Sequence, residues 1–204
     1  TAFGFKALTA NATGGTNVAI GCGSLEANTT ANSNVAVGEG SLKSNTTSTA
    51  NTAVGTFALC SNVTGANNTS VGYNALRKNT GSNNTGVGCG ALICNTSGAE
   101  NTGVGTVSLN FNTTGVDNTG IGIATIYDNT TGSHNTAAGK NALANNTTAD
   151  GNTAIGRDAL TTNTTGYANT AVGRQAGKSV TTGFTNTLLG FQAGCNVTTG
   201  DNNI

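Results

Sequence analysis

The amino-acid sequence predicts an all-β fold, a parallel β-solenoid or β-roll made of about twelve repeats of 17 residues. Three observations predict it. A string of the type NTAVG returns at a nearly constant spacing, the apolar residues follow the same spacing, and the composition cannot fill an ordinary globular core. A chain with these properties gains its order from contacts between successive repeats.

The repeat is marked by the glycine that ends each NTAVG-like string. Ten of the eleven spacings between these glycines are 17 residues, and the spacing from Gly72 to Gly88 is 16. A period kept over a whole chain is typical of a stacked array, in which each unit, or rung, buries its apolar face only against its neighbours. The marker glycines are Gly4, Gly21, Gly38, Gly55, Gly72, Gly88, Gly105, Gly122, Gly139, Gly156, Gly173 and Gly190.

The composition differs from that of an ordinary globular domain. Gly accounts for 31 of 204 residues, Pro, Met and Trp are absent, and most of the 35% hydrophobic content is Ala and Val. Eight acidic residues balance eight basic ones, so we expect no nucleic-acid partner and no attraction to an anionic membrane. No apolar run is long enough for membrane insertion and no signal peptide is found; because the chain lacks Met and begins within a repeat, we expect residues to precede Thr1.

Numbering each rung from the Asn of NTAVG gives the pattern N-T-A-V-G-x-x-A-L-x-x-N-T-T-G-x-x. β-branched residues at positions 2 and 4, with a small residue between them, show the period-2 alternation of a strand. We predict a first strand over positions 2 to 5 and a second, shorter strand over roughly positions 8 to 11. The N-T-T-G run is predicted to be a turn, because Asn and Gly accept positive φ and Thr can bond the local backbone.

Two apolar columns, at positions 4 and 9, are predicted to form the core. Position 4 is aliphatic or aromatic in all but one rung, and position 9 is Leu in most rungs. Such a core is thin, worth about 3–6 kcal/mol per rung before chain entropy opposes it. We therefore expect self-association into a homo-oligomer or filament. The predicted core residues are Ile20, Leu25, Val37, Leu42, Val54, Leu59, Val71, Leu76, Val104 and Leu109.

A column of Asn at position 12 has two interpretations. Stacked in register, the side-chain amides can hydrogen-bond along the axis as an Asn ladder. The same residues lie in N-x-S/T sequons, so a sugar could instead project from nearly every rung. We favour the ladder, because Asn and Thr are common turn residues and an inward amide cannot be glycosylated. The residues are Asn28, Asn45, Asn62, Asn95, Asn112, Asn129, Asn146 and Asn163.

No pattern typical of catalysis, metal binding or cofactor binding is found, so we expect no enzyme, no cofactor and no metal. His134 lies at a turn position without a partner column, and the Asp residues are scattered over the rung positions. The Asp-rich turn of calcium-binding solenoids is missing, and the Gly-Cys-Gly strings lack the strand and helix of a phosphate loop. Among the five cysteines, only Cys89 and Cys94 could pair within the chain, and we favour free thiols.

The strings NVAIG, NVAVG and NTAIG at residues 17–21, 34–38 and 152–156 resemble the SVAIG-type repeats in the heads of trimeric autotransporter adhesins. The NTAVG, AL and NTTG array is also similar to arrays in fibre proteins of phages and other viruses. The resemblance covers the whole chain. It implies a parallel β-roll rod, exposed outside the cell, on the cell surface or on a virion, that holds or forms a receptor-binding surface.

We therefore predict a structural and adhesive fibre segment that presents a rigid rod for attachment, with a cell-surface receptor or a glycan as its partner. The alternative is an ice-binding solenoid, because regular Thr columns on a flat face can match a crystalline lattice. Against this alternative, the Thr residues at positions 13 and 14 are adjacent, so their side chains should point to opposite faces.

The regular array is predicted to span residues 1–173 and to change in residues 174–204. There the Leu of position 9 becomes Gly177 and Gly194, and the Asn of position 12 becomes Val180 and Val197. Two Phe residues nearby, 184 and 191, are expected to return the lost apolar volume. A change confined to the last rungs is typical of a terminal or junction repeat, whose outer face meets something other than an identical rung.

Overall fold

The computed structural model describes residues 1–204 as a parallel β-solenoid with repeats of about 17 residues and no helix. Each rung contributes one short strand, and the twelve strands pair in chain order to form a single parallel sheet. The strands are β1 (Ala2–Phe3), β2 (Val18–Ile20), β3 (Val35–Val37), β4 (Thr52–Val54), β5 (Thr69–Val71), β6 (Thr85–Val87), β7 (Thr102–Val104), β8 (Thr119–Ile121), β9 (Thr136–Ala138), β10 (Thr153–Ile155), β11 (Thr170–Val172) and β12 (Thr187–Leu189).

The 16-residue rung does not disturb the strand register. Thr69 of β5 pairs with Thr85 of β6, as equivalent residues do in the neighbouring pairs. The missing residue is position 14, because the turn of this rung reads Asn79-Thr80-Gly81 where other rungs have N-T-T-G. The deletion is therefore absorbed by an exposed turn, and the stack remains continuous.

The marker glycine ends each strand because a side chain has no room there. Gly55 has φ of +135°, and a Cβ at this residue would lie 2.5 Å from the carbonyl oxygen of Gly72 in the next rung. Both the backbone conformation and the close approach of two backbones require glycine. This explains why the sequence period is clearest at position 5.

Positions 8 to 11 do not form the predicted second strand. They lie in a turn, and the Leu at position 9 has positive φ, for example 48° at Leu25 and 52° at Leu109. The rungs are still joined here, because the backbone N–H of Leu25 donates to the carbonyl oxygen of Ser41 at 3.0 Å. A left-handed residue costs about 1–2 kcal/mol, and it is retained because this bond repeats along the stack and the Leu side chain is buried.

The interior contains one large apolar side chain per rung. From Leu25 to Leu160, the residue at position 9 is fully buried and packs with small apolar residues at positions 3 and 8, and the Asn of positions 1 and 12 are also buried. The predicted core residues of this column, all fully buried, are Leu25, Leu42, Leu59, Leu76 and Leu109.

The prediction that position 4 belongs to the core is wrong. Successive strand residues face opposite sides of a sheet, and in this sheet position 3 faces inward. In the regular rungs, the interior has no room for a large side chain at position 3. A Cβ at Gly86 would already lie 2.9 Å from Cγ of Leu76. Position 4 therefore lies on the outer face, where its side chains are partly or clearly exposed; the misassigned residues are Ile20, Val37, Val54, Val71 and Val104.

The last two rungs keep the strand pairing, but glycine replaces the Leu of position 9 in both, and a Leu stands at position 3 in the last one. Leu188 at position 3 is buried, and its side chain occupies the space beside Gly177 and Gly194 at position 9. Val180 is fully buried where other rungs have the Asn of position 12. The expectation that two Phe residues replace the lost volume is wrong, because Phe184 stacks on Tyr167 outside the core with ring centroids 4.9 Å apart and the other Phe is largely exposed.

Candidate functional site

The Asn residues of position 12 form a ladder inside the rod. The side-chain amide of Asn112 donates to Oδ1 of Asn95 at 2.7 Å and to the carbonyl oxygen of Gly115 in its own rung at 3.0 Å. From Asn28 to Asn163, each amide is thereby held by the rung before it and by its own turn, except that of Asn79 in the 16-residue rung, which bonds only its own turn. The sugar alternative is wrong for these residues, because all of them are fully buried: Asn28, Asn45, Asn62, Asn95, Asn112, Asn129, Asn146 and Asn163.

A second Asn ladder, at position 1, was missed by the sequence reasoning. The backbone N–H of Asn34 donates to Oδ1 of Asn17 at 2.9 Å, and its amide donates to the carbonyl oxygen of Ser48 at 3.0 Å. The pattern continues to Asn203, whose amide donates to Oδ1 of Asn186 at 2.7 Å. The signal was present, since Asn begins almost every NTAVG-like string, but it was read only as a marker.

The outer face of the sheet presents two regular columns, which we call the sheet face. Position 2 supplies Val18, Val35, Thr52, Thr69, Thr85, Thr102, Thr119, Thr136, Thr153, Thr170 and Thr187, and position 4 supplies Ile20, Val37, Val54, Val71, Val87, Val104, Ile121, Ala138, Ile155, Val172 and Leu189. None of these residues is charged, although the chain has eight acidic and eight basic residues. The charges are confined to the other surfaces of the rod.

The Thr residues of position 13 form a third column, in which the hydroxyl groups hydrogen-bond to the backbone of the next rung. The hydroxyl of Thr113 donates to the carbonyl oxygen of Thr130 at 2.8 Å, and other rungs repeat this bond. Because the hydroxyl proton is engaged in this bond, the hydroxyl cannot also donate it to solvent. Beside the column, Phe111 contributes to an open groove of about 600 Å³ that ends near Lys78 and Asp128.

A smaller notch of about 190 Å³ lies on the first four rungs, next to the sheet face. Phe5 and Phe57 lie at its two ends, and Gly23 and Gly40 lie between them. The lining also includes two Glu and two Lys residues, so it combines aromatic rings with groups that accept and donate hydrogen bonds. The sequence reasoning did not find this notch, which becomes visible only when residues are assigned to the same column in adjacent rungs.

The expectation that His134 has no partner column is wrong, because Asp117 precedes it by one rung at the same position. Nδ1 of His134 lies 3.5 Å from Oδ2 of Asp117, and both side chains are substantially exposed. A pair in contact with solvent lacks the desolvated surroundings that tune catalytic groups. Its interaction is that of a surface ion pair, formed when the imidazole is protonated.

All five cysteines are free thiols: Cys22, Cys60, Cys89, Cys94 and Cys195. Burial raises the pKa of the Cys60 thiol above its ordinary value, although the positive charges of Arg77 and Lys43 in the adjacent rungs oppose the shift. The thiolate, which is the nucleophile, is therefore less populated at Cys60 than in an unperturbed thiol.

His, Cys, Asp and Glu do not come together in any group of three that could bind a metal ion. The structure contains no helix with the length and apolar character needed to span a membrane. No protein-family model, curated protein or solved structure matches this chain.

Proposed function

We propose that this chain is a rod-shaped structural segment of an extracellular or virion fibre, in which copies of the chain pack side by side through the sheet face. The observation that carries the proposal is the absence of charge from both columns of this face along the whole stack. Uncharged, β-branched surfaces of this extent are characteristic of surfaces that become covered by another protein.

The size of the sheet face is suitable for this role. Twelve rungs at ~4.8 Å and a width of ~10 Å give roughly 600 Å² per chain, compared with about 800 Å² per partner in a standard interface. Packing two or three chains in this way would also add apolar contacts to a core that has one large side chain per rung. The resemblance to adhesin heads and viral fibres supports a role in attachment, with a receptor or glycan as the partner.

Charge placed on the sheet face tests the proposal. Thr119→Lys with Thr136→Lys puts two like charges on adjacent rungs of the face, where packing would bury them. Thr114→Lys with Thr131→Lys makes the same chemical change at position 14, an exposed turn position away from the face. We expect the parent and the control to have the native mass of an oligomer, and the face variant to have the 19.9 kDa mass of one chain.

A parent that is a single chain at high micromolar concentration would contradict the packing proposal. Equal dissociation of both variants would show that added charge, rather than its place on the sheet face, weakens the assembly. Circular dichroism of each variant establishes that the β-structure is retained.

Ice binding is the second candidate, and one observation favours it. The Thr of position 2 and the aliphatic residue of position 4 both point outward, so the sheet face carries two regular columns, with a repeat of ~4.8 Å along the rod and ~6.6 Å between columns. The adjacent Thr residues of positions 13 and 14 lie outside this face. A single-chain parent whose thermal hysteresis is abolished by Thr119→Lys but not by Thr114→Lys would favour ice binding over fibre packing.

A further inference from the structure

The notch on the first four rungs exists because two side chains are missing from one column. Position 7 has a side chain in most rungs, but Gly23 and Gly40 occupy it in two successive rungs. Lys6 precedes them and Phe57 follows them in the same column. At ~4.8 Å per rung, about 10 Å of this column has no side chain of its own, and the ring of Phe57 covers the part at Gly40.

Aromatic rings bound the gap at both ends. Phe5 is on the first rung and is largely exposed, while the ring of Phe57 extends over Gly40 so closely that a Cβ there would lie 2.7 Å from it. The guanidinium of Arg77 lies 5.6 Å from the centroid of the Phe57 ring and helps to hold it in place. The position of the Phe57 ring, at one end of the notch, is therefore restricted.

The notch has equal numbers of positively and negatively charged side chains. Glu26 is clamped between Lys6 and Lys43, with N–O distances of 3.4 and 3.6 Å. Glu39 also lines the notch, and its exposed carboxylate has neither a hydrogen bond nor an ion pair in the chain. Two Lys and two Glu give no net charge, which disfavours both an anion such as phosphate and a cation such as an ammonium group.

The geometry points to a binding site for a neutral saccharide ring in this notch. The C–H face of a sugar can pack on a Phe ring, whose face carries partial negative charge. Its hydroxyls can donate to the free Glu39 carboxylate and accept from Lys6 or Lys43, which are charge-assisted hydrogen bonds. The volume of about 190 Å³ is suitable for one ring. The inference deepens the attachment role and rests on it for its biological use, but binding is measurable on the rod itself.

The experiment fills the notch without changing the backbone. Gly23 has φ of +65°, and Asn is accepted at this position, since Asn74 and Asn141 in the same column have φ of 56° and 57°. Gly23→Asn therefore occupies the notch with a residue that the column tolerates. Gly90→Asn is the matched control, because Gly90 is also at position 7 with φ of +65° but lies in a rung away from the notch.

Binding is measured by ligand-observed saturation-transfer NMR and titration with the methyl glycosides of glucose, galactose, mannose and N-acetylglucosamine. We expect at least one glycoside to bind the parent, Gly23→Asn to raise its Kd by about tenfold or more, and Gly90→Asn to leave Kd within about twofold. Glu39→Gln should weaken binding while the notch stays open.

Failure of all four glycosides to bind the parent, or equal loss in both Asn variants, would overturn the assignment. Native mass is recorded on the same samples. A parent that binds a glycoside but is a single chain contradicts the packing proposal alone, whereas an assembled parent that binds none contradicts the saccharide site alone.

Discussion

From Leu25 to Leu160, the rod interior is filled by a large residue at position 9 against a small one at position 3, whereas in the last rungs Leu188 stands at position 3 against Gly177 and Gly194. Both arrangements put one large aliphatic side chain in the same narrow space. The strand pairing from β11 to β12 is unchanged by the exchange. The difference shows that one large side chain at position 3 can fill the space beside the glycines of two rungs, so the filling of the interior does not have to come from a particular column.

The two Asn ladders differ in the last two rungs. The ladder of position 1 continues through the last rung to Asn203, but the ladder of position 12 stops at Asn163 because the next rung has Val180. Oδ1 of Asn163 is consequently buried without a hydrogen-bond partner. In the regular rungs, the amide of the following rung donates to this oxygen. The absence of that donor here is a local cost of the altered packing.

The largest expected effect distinguishes the inner from the outer column. Leu109→Ala should lower the free energy of unfolding by about 2–5 kcal/mol, because it opens a cavity in the regular core. Val104→Ala should cost about 1 kcal/mol or less, since the side chain is already partly exposed. Urea unfolding followed by far-ultraviolet dichroism measures both, in the Thr119→Lys, Thr136→Lys background that is designed to prevent the proposed side-by-side packing. Equal losses would mean that position 4 supports the interior as much as position 9.

The second prediction transfers the exchanged core to the regular rungs. Gly86→Leu should lower the free energy of unfolding by about 1–3 kcal/mol, because the new side chain meets Leu76. Adding Leu76→Gly should make the double variant less destabilised than the sum of the two single changes, by about 0.5–3 kcal/mol. A double-mutant cycle of urea midpoints tests this. Simple additivity would show that positions 3 and 9 do not share one space.

The third prediction compares the two sides of the interrupted ladder. Asn146→Val should cost about 1–3 kcal/mol, because it removes the amide that donates to Asn129 and leaves that buried oxygen unpaired. Val180→Asn should change stability by about 1 kcal/mol or less, because lost apolar burial is offset by a donor for Asn163. Thermal unfolding of the two variants gives the comparison. A loss at Val180→Asn as large as that at Asn146→Val would show that the new amide does not extend the ladder to this rung.

The smallest expected effect is on the reactivity of a half-buried thiol in the regular rungs. Alkylation of Cys60 by iodoacetamide should be slower than that of the exposed Cys22, because Cys60 is partly buried and its raised pKa reduces the thiolate fraction. Since the thiolate forms as pH rises through the pKa, the Cys60 rate should still be rising above pH 9, the ordinary value for this group. Mass spectrometry of timed digests measures each site. Equal rates at all pH values would mean that the rung opens readily.

Much of the architecture was accessible from the sequence because it depends on repetition. The period, the parallel stack, the inward Leu column and the position-12 Asn column follow from one pattern repeated in register, and a residue that recurs in every rung has the same neighbours in every rung. The notch was not accessible by this reasoning. Gly23, Gly40, Phe5 and Phe57 lie at positions 6 and 7, for which the repeat has no preferred residue, and they become a site only when adjacent rungs bring them together.

The sequence by itself determined how the rungs repeat, but only the tertiary structure decided which side of each strand is inside. The alternation of Thr, Ala and Val is equally compatible with either face, and hydrophobicity alone favoured Val104 over Gly103 as the inward residue. The opposite is true because a Leu and two Asn side chains already fill each rung, leaving room only for a small residue. The left-handed Leu of position 9 was decided in the same way, since no local preference of Leu predicts it and the bonds between stacked rungs compensate for its cost.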